Sequence, residues 1–210
     1  MPSSYHGFWL RFLLVLGFTA AAVPAASILC LGDSLTAGYG LDEAAAWPAL
    51  VQAQATSEGR DWTLVNGGVS GDTSAGGLRR LKWALRAKPD LVVIALGGND
   101  GLRGVDPATT KSNLAAIIDR ARNAGAQVVL AGMRLPTNYG EERRATFAAV
   151  YADLAHEKQV PLLPFLLEGV GGIRELNQAD GIHPTAEGQR KVAATVHAFL
   201  AQHLAAAATP

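Results

Sequence analysis

The chain has 210 residues but only one cysteine, Cys30, so no internal disulfide can form and stability must come from a packed core. It has no charge excess, with 18 Lys and Arg against 18 Asp and Glu, and no run of five or six like charges. Binding to a polyanion rests on clustered cations, so this balance speaks against nucleic acid as a partner. No phosphate-cradling GxxxxGK[ST] occurs, and no GxGxxG follows an apolar run. Internal repeats, low-complexity blocks and an interdomain linker are also missing. The apolar stretch FLLVLGFTAAAV at 12–23 falls short of the roughly 20 residues that span a bilayer.

That stretch follows Arg11 and precedes the small residues PAAS, which together make the parts of a secretory signal. The expectation is a signal peptide over 1–25, cleaved near 22–26, and a single domain over 27–205. The mature protein is then periplasmic or secreted, a monomer, with no stable membrane anchor. Cys30 is preceded by SIL and lacks the small residue that lipid attachment needs just before it. Inside an apolar strand pattern it reads as a small core residue.

From residue 27, short apolar runs alternate with longer helical patterns. The runs lie at 27–31, 62–66, 90–96, 127–133 and 160–165, rich in Val, Leu and Ile without strict alternation, as strands covered on both faces should be. Helical patterns lie near 44–57, 74–87, 107–123, 141–158 and 185–203. Asp106-Pro107 pairs a capping acid with proline at the first helical position. Five strand-helix units in this order predict an α/β fold, a doubly wound parallel sheet with helices on both faces. In such sheets ligands bind beyond the carboxyl ends of the strands.

The segments found there are GDSLTAGYG, GGVSGDTSAGG, GGNDGLRG, RLPTNYGEE and ADGIHPTAEG. Each alone is open to a plain reading, since glycine serves tight turns and Asp or Asn caps helices. Together they supply the needs of acyl transfer: a hydroxyl nucleophile, a base steadied by a carboxylate, and donors for the oxyanion. Ser34 sits at a sharp turn into a helix, with its Oγ expected to be exposed and its N–H to point at the ligand. Gly71 offers a second backbone donor and Asn99 an uncharged amide as the third. Asp180 and His183, three residues apart in a glycine-containing loop, offer acid and base. Standing alone, a histidine before proline reads as a surface residue or cap. His6, His156, His197 and His203 have no acid so placed.

GDSLTAGYG, the Gly71 block, GGND and DGIHP resemble the four consensus blocks of the SGNH, or GDSL-type, serine hydrolases. GGNDGLRG, RLPTNYG and VPLLPF resemble its exported bacterial thioesterase I, lysophospholipase and arylesterase branch. The resemblance covers about residues 27–190 and places Ser34, Asp180 and His183 as a triad, with Ser34, Gly71 and Asn99 as the oxyanion hole. It implies a three-layer α/β/α, flavodoxin-like fold. It also implies hydrolysis of small-molecule acyl esters and thioesters at a small, open site, with no cofactor and no metal.

Asp33 is expected to bond nearby backbone and hold its turn, with Asp72 and Asp100 as helix caps or loop ties. Leu102, in the glycine-flanked GLRG stretch, is expected to touch an acyl chain from a loop that can move. Two rival readings stay open. One is a metal-dependent phosphoesterase using Asp33, Asn99, Asp100 and His183. The other is a non-catalytic flavodoxin-like domain that binds a nucleotide or flavin.

Overall fold

The structure is a computed structural model and describes residues 25–207; the core of the expected leader and the last residues of the tail lie outside the described residues. Five parallel strands, β1 (Ala26–Gly32), β2 (Trp62–Gly68), β3 (Leu91–Ala95), β4 (Gln127–Ala131) and β5 (Leu162–Leu163), form one sheet in the order β2-β1-β3-β4-β5. The helices are α1 (Ser34–Ala37), α2 (Trp47–Ser57), α3 (Ser74–Ala84), α4 (Gly98–Arg103), α5 (Pro107–Asn123), α6 (Glu141–Lys158) and α7 (Ala186–Ala207). Helix α2 packs on α7, while α3 packs on α5 and α5 on α6, which makes the three-layer α/β/α arrangement.

The strand composition explains the layering. Leu31 and Ile94 on one face of the sheet, and their neighbours Cys30 and Ala95 on the other, are wholly buried, as only strands covered on both faces allow. Taking each such Leu or Ile side chain out of water contributes about 1.5–3 kcal/mol. Cys30 lies in this core with no exposed surface, and burial pushes its thiol far above the usual range. It is a packing residue.

Two elements depart from expectation. The fifth strand is two residues long, because Pro161 and Pro164 bracket it and neither has an N–H to give the ladder. The GLRG stretch is not a loop: residues 101–103 close helix α4, which Tyr139 Oη ties down at the Leu102 carbonyl (3.2 Å) and Arg143 at the Gly101 carbonyl (2.9 Å).

The chain leaves β1 toward β2 on one side and returns toward β3 on the other, so the topological switch lies between β1 and β3. The register sets Gly32 level with Gly68 and with Ala95. The segments beginning at Asp33, Val69 and Leu96 therefore leave the sheet side by side, although the first and last of them are more than 60 residues apart in the chain.

Candidate active site

Ser34 opens helix α1 two residues past β1. Asp33 caps that helix, its Oδ1 accepting from the Leu35 N–H at 3.0 Å. Gly32 is required for so tight a turn, since a Cβ there would overlap the Thr36 side chain. Ser34 is 9% exposed. What remains uncovered faces a cavity of about 460 Å³.

The imidazole of His183 reaches it from the loop before α7, with Nε2 2.9 Å from Ser34 Oγ and Nδ1 2.7 Å from Asp180 Oδ2. Asp180 Oδ1 accepts from the N–H groups of Ile182 and His183, both at 3.0 Å. Burial would raise the Asp180 carboxyl, but the imidazole and the two N–H donors outweigh it and hold the group at about 2. An ionised acid fixes the ring so that the nitrogen facing Ser34 is free to accept a proton.

Gly71 adopts φ +78°, a left-handed conformation that side chains rarely take, and its carbonyl accepts from Arg103 at 2.9 Å. Space is not the reason for glycine, because a Cβ there would meet only Arg103 at 3.6 Å. Asn99 Nδ2 donates to the Asp72 carbonyl at 2.9 Å and lies 3.5 Å from Asp33 Oδ2, long for a hydrogen bond. One amide hydrogen is thus committed to scaffolding and the other is only loosely held. Ser34, Gly71, Asn99 and His183 all line the cavity, as does Leu102. Its remaining wall is mostly apolar, with Met133, Leu135, Phe165 and Ile182, and its volume suits a small ligand.

The scaffold behind these groups was not legible in the motifs. Arg80 of α3 bonds Asp72 Oδ2 (2.7 Å) and the Gly32 carbonyl (2.8 Å), so one guanidinium joins the strand end that carries Ser34 to the loop that carries Gly71 and steadies Asn99. The Tyr39 ring lies 4.5 Å from the imidazole of His183, and Gln178 holds the Tyr39 carbonyl at 2.7 Å. Asp72 lies before the cap of α3 and Arg80 two turns inside it, a spacing that does not pair side chains along a helix, so the sequence carried no signal for the first of these.

The acids sort differently from one another. Asp33 is 1% exposed, and burial raises its carboxyl to about 6 against the lowering effects of the Leu35 N–H and of His183. Asp72 ties its loop through Thr73 N–H and Arg80, the cap of α3 being Thr73. Asp100 accepts from the N–H and hydroxyl of Ser74, which ties α4 to α3. Among the described residues no three His, Cys, Asp or Glu side chains stand together as a metal would require.

A hydroxyl, an imidazole and an acid in hydrogen-bonded series, on a 2-1-3-4-5 parallel sheet, define a serine hydrolase type of site. The chain belongs to the GDSL-like lipase/acylhydrolase family, whose model matches residues 30–191. It is 47% identical to esterase TesA of Pseudomonas aeruginosa over 87% of this chain and 94% of that one. Against the thioesterase 1/protease 1/lysophospholipase L1 of Escherichia coli K12 the figures are 45%, 87% and 86%. A crystal structure of TesA superposes with a TM-score of 0.82, covering 85% of this chain and 99% of that one. The psychrotrophic esterase EstA from Pseudoalteromonas, in a structure described as inhibited by monoethylphosphonate, gives 0.82 at 33% identity, over 85% of this chain and 98% of that one.

Proposed function

We propose that this protein hydrolyses carboxylic esters and thioesters through an acyl-enzyme on Ser34. The observation that carries this reading is the series Ser34 Oγ to His183 Nε2 at 2.9 Å and His183 Nδ1 to Asp180 Oδ2 at 2.7 Å. His183 takes the Ser34 proton as Oγ attacks the substrate carbonyl. The N–H groups of Ser34 and Gly71 and the loosely held amide hydrogen of Asn99 receive the oxyanion. Collapse breaks the bond to the alcohol or thiol, which leaves with the proton from His183. Water, deprotonated by the same imidazole, then attacks the acyl carbonyl, and the acid departs as Ser34 regains its proton.

The mostly apolar cavity favours an acyl or aryl group over a large polar one. Aryl esters, acyl thioesters and lysophospholipids are the substrate classes we assign, in keeping with relatives named esterase, arylesterase and thioesterase/lysophospholipase. The protein works in the periplasm or outside the cell. The leader read at 1–25 supports that placement, and no helix among the described residues is long and apolar enough to cross a membrane. One chain carries every residue assigned to the chemistry, so a monomer suffices for the reaction.

Incubation with a fluorophosphonate probe, followed by mapping of the labelled peptide, tests the assignment. Ser34 is expected to carry the label, and His183→Ala to suppress it. Labelling elsewhere, or turnover undiminished in Ser34→Ala, overturns the reading.

A further inference from the structure

Helix α3 serves the site with its inner face, through Thr73, Ser74 and Arg80, and leaves an outer face without a role. Residues 73–89 carry five Lys and Arg and no acid, a local separation that the zero net charge conceals. Arg80 is turned inward to Asp72. Arg79, Lys82, Arg86 and Lys88 are exposed, and none forms an ion pair with a carboxylate among the described residues. In their midst Trp83 is 73% exposed, more than any other large apolar side chain described. Arg79 stands one helical turn before it, and Arg86 lies three residues after it in the 3-10 turn Leu85–Ala87 that follows α3.

Cations near a helix C-terminus complement the dipole, and single apolar residues on a surface are common. Neither accounts for the largest side chain of all being left in water among four unpaired cations. On the same side of the sheet, edge strand β2 leaves Val65 41% exposed: Trp62 stacks near His197 of α7, so alternation turns residues 63 and 65 the other way. Residues 79–88 line neither the cavity at Ser34 nor the smaller one beside Phe147. A protein partner that used Trp83 would need to supply the pocket itself, and single-stranded nucleic acid is gripped by several aromatics along a groove. A bilayer needs neither. Its anionic headgroups attract surface cations, and tryptophan settles at the depth of the headgroups.

We propose that this face of α3 docks reversibly on an anionic lipid bilayer, with Trp83 at headgroup level and Arg79, Lys82, Arg86 and Lys88 against lipid phosphates. The contact is peripheral, differs from a spanning anchor, and stands apart from the catalytic reading. Trp47 and Trp62 are buried, so Trp83 is the described tryptophan whose fluorescence can respond to lipid.

The test is vesicle co-sedimentation at low and high salt, with phosphatidylcholine vesicles with and without phosphatidylglycerol. The parent is compared with R79Q/R86Q and with Trp83→Ala, all with the same N-terminus. The parent should bind only the anionic vesicles, release at high salt, and show a blue-shifted emission that Trp83→Ala abolishes. Each cation removed should weaken binding about fivefold, so R79Q/R86Q should lose about 25-fold. Hydrolysis of a soluble aryl ester should be equal in all three, which verifies that the variants fold. Equal vesicle binding by parent and variants overturns the proposal, as does no preference for the anionic lipid. Binding to polyglutamate but not to vesicles overturns it in favour of an acidic protein partner.

Discussion

Two carboxylates flank the same hydroxyl, one in the turn after β1 and one in the loop before α7, and the protein treats them in opposite ways. Asp33 is sealed beneath the turn, 1% exposed, and its carboxyl is raised to about 6. Asp180 keeps 40% of its side chain in water, yet its carboxyl is lowered to about 2 by the imidazole and two N–H groups that it accepts from. Residue type therefore does not choose the partner of His183. Donors and water do, because a carboxylate given several donors and some solvent loses its proton well into the acid range, while a dry one with few holds it to higher pH.

The largest expected effect comes from the wetter acid. Asp180→Asn should lower kcat on a soluble aryl ester by about 10³- to 10⁴-fold, because an amide that donates to Nδ1 leaves Nε2 protonated and unable to act as base. A loss under tenfold would mean that the exposed acid is dispensable and that the contrast drawn above has no catalytic content.

Asp33 should register in stability instead. Its carboxyl is protonated more readily in the fold than in the unfolded chain, so its contribution is complete below about pH 4 and fades as pH rises through 6. From pH 4 to 7 the parent should lose about 2 kcal/mol relative to Asp33→Asn. Urea unfolding of both proteins at several pH values measures this. Asp180 contributes in the other sense, with stability present at neutral pH and lost only as pH falls toward 2. Parallel curves for parent and Asp33→Asn would show that the buried acid is not perturbed.

Arg80→Met tests whether the dry side of the site is a positioning frame. Releasing the Gly32 carbonyl and Asp72 should reduce kcat about tenfold to a hundredfold with KM little changed, as expected when groups shift by a fraction of an ångström. A matched loss in both parameters would assign Arg80 to substrate binding. The smallest effect belongs to Leu102→Ala, which should change the preference among straight-chain acyl esters a few-fold, since Leu102 forms part of the cavity wall. An unchanged preference would detach that wall from the acyl group.

The layered fold was readable because its causes are local. Val92 to Ile94 and Val128 to Leu130 announce two-sided strands, and Asp106-Pro107 marks the start of α5 with its own N–H to cap, at Ala108. The fifth strand is shorter than its apolar composition suggests, because Pro161 and Pro164 lack the N–H groups that a ladder needs. Helix α4 was missed because Gly98 and Gly101 are poor helix formers, and the turn is held by Tyr139 and Arg143 from more than 30 residues away.

The types of group at the strand ends, and their order along the chain, are properties of the polymer. The hydroxyl of Ser34, the amide of Asn99 and the paired Asp180 and His183 could be named because nucleophile, donor and base are defined by side-chain chemistry. Which acid is dry, which amide hydrogen is spoken for, and that Arg80 joins two loops were decided only in three dimensions. Desolvation and hydrogen-bond geometry depend on whatever packs alongside, and those neighbours lie as far as 149 residues away along the chain.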